Sequence, residues 1–198
     1  LFFNEGPKIV KQLSEQGYQI FLDLKMNDIP NTVYNGAKAL ARLGITYTTV
    51  HALGGSQMIK AAKDGLIAGT PIDKNVPKLL AVTELTSISD EILHYEQNCN
   101  LSMNDQVLSL ATTAKKAGAD GVICSPLEVK NLRQKVGEDF LYVTPGIRPA
   151  GNAKDDQSRV ATPLQAKEWG STAIVVGRPI TLATDPEAAY EAIKKEFN

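Results

Sequence analysis

The sequence has only two cysteines, two histidines and a formal net charge of -1 in 198 residues. Each shortage excludes something. Cys99, in a polar stretch, and Cys124, inside an apolar run, form neither a disulfide framework nor a metal-binding spacing, and both are read as reduced structural thiols. His51 and His94 lie far apart, so no ligand set clusters around an imidazole; His51, at a strand end, reads as a satisfied buried ring. With 21 Lys and Arg against 22 Asp and Glu, nothing attracts the whole chain to nucleic acid or to an anionic membrane. Any anion must be held locally. No apolar run approaches the ~20 residues of a membrane span, and Leu1 to Gly6 has no basic region followed by a cleavable apolar core. A cytoplasmic location is expected.

What is present is an ordinary globular balance, 43% hydrophobic and 22% charged residues, which suits one domain over residues 1 to 198. Phe2, Phe3, Ile9, Val10 and Leu13 recur at helical spacing, so a helix is expected from Leu1 to Gln16, with Gly17 as its C-cap. Short apolar runs at Gln19 to Leu24, Tyr47 to Ala52, Lys78 to Leu85, Gly121 to Cys124, Leu141 to Thr144 and Ala173 to Val176 then read as buried strands. Helices are expected between and after them, at Thr32 to Leu43, Ser56 to Ala68, Asn104 to Ala117, Ser125 to Val136, Thr162 to Trp169 and Asp185 to Phe197.

Strict alternation of strand and helix implies a parallel sheet, because parallel neighbours need a crossover that is usually helical. A doubly wound sheet would carry a Gly-rich phosphate turn after its first strand. Here polar clusters follow nearly every strand, as the top of a (β/α)8 TIM barrel requires. Such a barrel takes about 250 residues, roughly 31 per unit, so a missing N-terminal strand, helix and strand of about 40 residues is expected. Glu91 to Asp105 and Pro149 to Arg159 read as long loops, the second as a candidate lid over a bound ligand.

The most specific segment is Asp23-Leu24-Lys25-Met26-Asn27-Asp28-Ile29-Pro30, at the end of the first strand. Side chains two apart on a strand share a face, so Asp23 and Lys25 are expected to form a buried ion pair inside the barrel. Burying two charges is costly and seldom stabilises, and barrel enzymes concentrate catalytic residues at strand ends. The pair therefore points to chemistry. Asp28 leaves the strand for the loop, Pro30 sets the next helix, and Thr32 is expected to cap it.

With Asn31 and Thr32 added, this string resembles the catalytic signature of the orotidine 5'-monophosphate decarboxylase family. Pro145-Gly146-Ile147-Arg148, Asp156-Gln157-x-Arg159 and Val176-Gly177-Arg178-Pro179-Ile180-Thr181 resemble that family too, in order and approximate spacing. Met26 and Asn27 depart from the Phe-His often found there. The family's Asp on a first strand and Lys on a second have no counterpart in these residues.

The resemblance implies conversion of orotidine 5'-monophosphate to uridine 5'-monophosphate and carbon dioxide in pyrimidine synthesis, with no metal or organic cofactor. It also implies that Asp23 lies against the substrate carboxylate, that Lys25 donates a proton to C6, and that Asp28 completes an alternating charge array. Gly177 and Arg178 would hold the phosphate, Gln157 would bridge phosphate and base, Arg148 would organise the loop, and Thr86 would meet the pyrimidine edge. A homodimer is implied, with Asp28 and Thr32 reaching the partner's site. Two other readings compete. One is a magnesium-dependent sugar-phosphate decarboxylase or hexulose-phosphate synthase, which shares Asp-x-Lys-x-x-Asp; the other is a phosphate-binding barrel without activity. Without the upstream Asp and Lys, residues 1 to 198 alone are expected to show little turnover.

Overall fold

The computed structural model describes residues 1–149 and 160–198, so Gln157 and nearly all of the expected lid lie outside the described residues. The chain packs into two compact units: residues 1–82 with 112–121, and residues 83–111 with 122–198.

The first unit opens with α1 (Phe2–Glu5) and α2 (Pro7–Glu15) where the sequence predicts one helix. Gly6 breaks it, at φ 64° and ψ -158°. The physical reason is Pro7, whose ring disfavours helical backbone at the residue before it while itself suiting the first position of a new helix. Next come β1 (Phe21–Met26), α3 (Pro30–Ala41), β2 (Tyr47–His51), a single 3-10 turn over Ala52–Gly54, α4 (Gly55–Gly69) and β3 (Lys78–Val82). Val10, Leu22, Leu40 and Ile45 form a buried cluster that joins α2 to β1 and α3.

Gly65 and Gly69 let α3 and α4 approach at backbone distance. A Cβ on either would come within 2.3 Å of the Tyr34 carbonyl oxygen or 2.1 Å of that of Lys38. Their spacing of four residues puts both on one helix face. The strands β1, β2 and β3 run parallel, and β2 and β3 stay in register from Tyr47 opposite Lys78 to His51 opposite Val82. Asp120 ties the chain beyond them to β3. Its carboxylate accepts the Leu79 N–H at 2.8 Å and the Lys63 Nζ at 2.6 Å, and its own N–H donates to the Leu79 carbonyl at 2.8 Å.

The second unit takes in most of α5 (Met103–Lys116) and β4 (Gly121–Ile123), then α6 (Pro126–Val136), β5 (Leu141–Thr144), α7 (Pro163–Glu168), β6 (Ala173–Ile174), α8 (Arg178–Thr181) and α9 (Pro186–Phe197). Both Thr83 donors, N–H and hydroxyl, reach the Ile123 carbonyl at 3.1 Å. Cys124 N–H donates to Val143, and β5 pairs in parallel with β6. Capping boxes start α6, through Ser125 and Glu128, and α7, through Thr162 and Gln165. Each satisfies two backbone donors that a helix start otherwise leaves open.

Part of the expected loop Glu91 to Asp105 is ordered as a π-type turn over Ile92–Glu96. It forms because Leu93 is fully buried and its carbonyl accepts the Cys99 N–H at 3.0 Å. The short helix α8 is also absent from the sequence reading; four residues are too few to show a hydrophobic period.

Tyr142, on β5, is fully buried, and its hydroxyl donates to the Gly137 carbonyl at 2.6 Å, with the Leu132 carbonyl 3.3 Å away, which secures the end of α6. Burial, reinforced by Cys124 and opposed by Arg133, pushes its pKa up from 10.0 to about 12. Between these values the native state holds a proton that the unfolded chain has released, so stability falls as pH rises through that window. Wild type should therefore lose about 2 kcal/mol more than Tyr142→Phe between about pH 10 and pH 12, read from denaturant titrations.

Candidate active site

The charged string sits where β1 ends, in the first unit, and its geometry departs from a flat strand. Leu22 lies opposite Thr48, yet Met26 lies opposite Val50, so four residues of β1 advance while β2 advances two. The strand bulges between them, and Lys25 takes φ 50°, a left-handed conformation that costs a residue with a Cβ roughly 1–3 kcal/mol. Asp23 and Lys25 do meet, with Lys25 Nζ 2.5 Å from Asp23 Oδ2. Simple pleat alternation does not account for it, because the bulge interrupts the alternation.

The expectation of a buried pair is corrected as well. The side chains of Lys25 and Asp23 are 39% and 40% exposed, since they stand at the strand's end and β1 pairs only with β2 among the described residues. The pair is open to an incoming ligand and to water.

Thr49, fully buried on β2, is a partner that the sequence reading missed. Its hydroxyl donates to Asp23 Oδ1 at 2.7 Å and accepts the Lys25 N–H at 2.8 Å. The available signal was a pair of hydroxyl residues, Thr48 and Thr49, inside an otherwise apolar strand. The loop beyond holds Asp28, exposed, whose Oδ1 accepts the Ile29 N–H at 2.6 Å. Thr32 does not cap α3. The N-cap is Ile29, with Pro30 at the first helical position, which places Thr32 within the first turn and exposed.

In the second unit, Thr86 is 9% and Arg148 7% exposed. Arg148 Nη1 donates to the Ile147 carbonyl at 2.9 Å, and its N–H donates to the Ala161 carbonyl at 2.9 Å. Gly177 is the N-cap of α8, and Arg178, exposed, is its first residue. Arg148 and Arg178 border one cleft of about 500 Å³, with Leu182, Ile193 and Glu196 on its other sides. Two cations thus converge on one hollow. The sequence reading also missed Glu84, 3% exposed, whose carboxylate accepts from the Gln106 amide at 3.2 Å and the Gln97 amide at 3.4 Å. Among the described residues no group of three or more His, Cys, Asp and Glu could hold a metal ion. His94 Nδ1 instead bonds the Cys99 carbonyl oxygen at 2.7 Å within its own turn.

The sequence profile of the orotidine 5'-phosphate decarboxylase / HUMPS family matches residues 1–193. The chain belongs to this family. It is 91% identical over its whole length to the orotidine 5'-phosphate decarboxylase of Lactobacillus gasseri, and covers 84% of that protein. Its fold is similar to the crystal structure of orotidine 5'-phosphate decarboxylase from Lactobacillus acidophilus, at TM-score 0.90 and 74% identity, over all of this chain and 84% of that one. The corresponding enzyme of Pyrococcus horikoshii OT3 matches at TM-score 0.76 and 26% identity, with 83% of that chain covered. The fold class is accordingly the (β/α) barrel expected from the alternation.

For a member of this decarboxylase family, the strained lysine offers a direct test of whether backbone conformation or side-chain contact dominates at the end of β1. Glycine relieves the left-handed strain, so Lys25→Gly should unfold at higher denaturant than Lys25→Ala, by roughly 1 kcal/mol. Equal midpoints would show that the backbone stores no strain there.

Proposed function

We propose that Lys25 and Asp23 carry the decarboxylation of orotidine 5'-monophosphate to uridine 5'-monophosphate. The enzyme is a carboxy-lyase of pyrimidine synthesis, and its 91% identical relative is named orotidine 5'-phosphate decarboxylase. The observation that carries the residue assignment is the Lys25 ammonium held 2.5 Å from the Asp23 carboxylate at an open strand end, inside the Asp-x-Lys-x-x-Asp-Ile-Pro-Asn-Thr string.

In this reading the substrate carboxylate sits beside Asp23. The C6 to carboxylate bond breaks, carbon dioxide leaves, and the electron pair remains on C6. Lys25 stabilises that charge without waiting for water to reorganise, then transfers a proton from Nζ to C6 and regains one from solvent. Arg178 and the Gly177 backbone N–H hold the phosphate, and Arg148, at the same cleft, supports the loop that Gln157 belongs to. Thr86 meets the pyrimidine edge. No metal or organic cofactor takes part.

A homodimer belongs to the same proposal. Ile29 is 67% exposed between Asp28 and Thr32, an apolar side chain facing solvent in a polar loop, which suits burial against a second copy with Asp28 and Thr32 reaching its site. We also place the enzyme in the cytoplasm; among the described residues no helix is long and apolar enough to cross a membrane.

The magnesium-dependent sugar-phosphate enzymes of the wider family are disfavoured by the 91% identity to a decarboxylase and by Ile29-Pro30 after the shared acidic string. Turnover of orotidine 5'-monophosphate, followed by absorbance in the complete natural protein, should survive a chelator and fall by at least about a thousandfold in Lys25→Ala. Loss of activity with chelator would move the assignment to the metal-dependent branch. Separately, Arg178→Lys should lower kcat/KM by roughly 10- to 100-fold, because a point charge replaces a two-pronged contact.

A further inference from the structure

We infer that Thr49 is a positioning residue for the catalytic pair, fixing both the backbone and the charge partner of Lys25 through one hydroxyl. The inference rests on the proposed roles of Lys25 and Asp23. A hydroxyl has one proton to give and lone pairs to accept with. Here the lone pair takes the Lys25 N–H at 2.8 Å, and the proton goes to Asp23 Oδ1 at 2.7 Å. The Lys25 N–H therefore finds its acceptor in a side chain instead of a neighbouring strand carbonyl, as the bulge in β1 requires. With one lone pair engaged by the N–H, the hydroxyl proton is directed at the carboxylate. The other carboxylate oxygen, Oδ2, accepts from Lys25 Nζ.

The result is a closed loop of bonds: Lys25 backbone to Thr49, Thr49 to Asp23, and Asp23 to the Lys25 side chain. Asp23 acts only as an acceptor in it, which is the ionised form's role. The ammonium is aimed because the residue that carries it is held at both ends. Burial makes the anchor rigid, since Thr49 is 0% exposed and stands in register with Leu80 on β3. Next to it, the Thr48 hydroxyl donates to the Leu22 carbonyl at 3.0 Å, so successive hydroxyls of β2 secure β1 at the start of its irregularity and within it.

The test compares Thr49→Val, which keeps the shape and removes the hydroxyl, with Thr49→Ser, which keeps the hydroxyl, in the complete natural protein. Lys25→Ala is the control, and melting curves establish folding. Expected is a kcat lowered roughly 10- to 100-fold in Thr49→Val, from misplacement of the ammonium. KM should stay within about twofold, because phosphate and base contacts are untouched. Thr49→Ser should restore most of kcat. Where Thr49→Val fails to fold, Thr49→Ala removes the hydroxyl without crowding the carboxylate, and the same split is expected. Wild-type kcat in the hydroxyl-free variants, with Lys25→Ala inactive, would overturn the inference while leaving the lysine's role intact. Equal losses in the serine and valine variants would overturn it too, as a sign of packing alone. Full turnover in Lys25→Ala would remove the catalytic reading itself and the inference with it.

Discussion

The site depends on one constraint: a lysine and an aspartate two residues apart must meet at a strand end where the strand is no longer regular. A flat strand would put both side chains on one face and leave their tips free to diverge. The bulge in β1 and the left-handed Lys25 backbone instead bring the ammonium onto the carboxylate, and β2 supplies the hydroxyl that makes this arrangement bondable. Conformational strain of this kind persists only when surrounding contacts over-determine it. The buried cluster beneath β1, the paired threonines of β2 and the in-register strand β3 provide those contacts.

Much of this architecture is legible in the sequence because burial imposes period. Parallel strands covered on both sides read as apolar runs, as at Lys78–Val82 and Leu141–Thr144, and their helices carry start signals that survive without tertiary knowledge. Ser125 with Glu128 and Thr162 with Gln165 are such signals, and both form capping boxes. What resisted reading arises from local competition. Pro7 splits a helix whose apolar spacing continues through it, and the backbone bonds of Leu93 build a π-type turn inside a polar stretch. The bulge at Lys25 was illegible for a deeper reason: a two-residue period describes regular strands, and the strained backbone at the end of β1 is where that regularity ends.

The two kinds of charge recognition are built differently. Arg148 and Arg178 come to one hollow from the end of β5 and the start of α8, positions that no short motif joins, so only the fold brings them together. Asp23, Lys25 and Asp28 lie within six residues and are largely specified by local chain direction. With 21 basic and 22 acidic residues in the chain, neither group can rely on the overall charge. Each anion or cation must be met by named side chains at short range, which is why small changes of angle at Lys25 matter more than changes of surface charge elsewhere.

The openness of the Lys25 and Asp23 pair gives that geometry its timing. Ion pairs open to solvent contribute roughly 0–1 kcal/mol net, because water screens the charges and holding two long side chains costs entropy. A pair about two-fifths exposed is therefore only modestly stabilising in the free enzyme, and solvent competes for both partners. Under the roles proposed for Lys25 and Asp23, a nucleotide seated over the strand end would remove that solvent without moving the charges. The same bonds would then act in a poorer dielectric, where a fixed ammonium in the proposed position beside C6 favours negative charge on carbon more strongly than mobile water does. On this reasoning the bulge, the strained lysine and the Thr49 hydroxyl set the geometry before substrate arrives, and substrate binding supplies the low dielectric in which that geometry has its full effect.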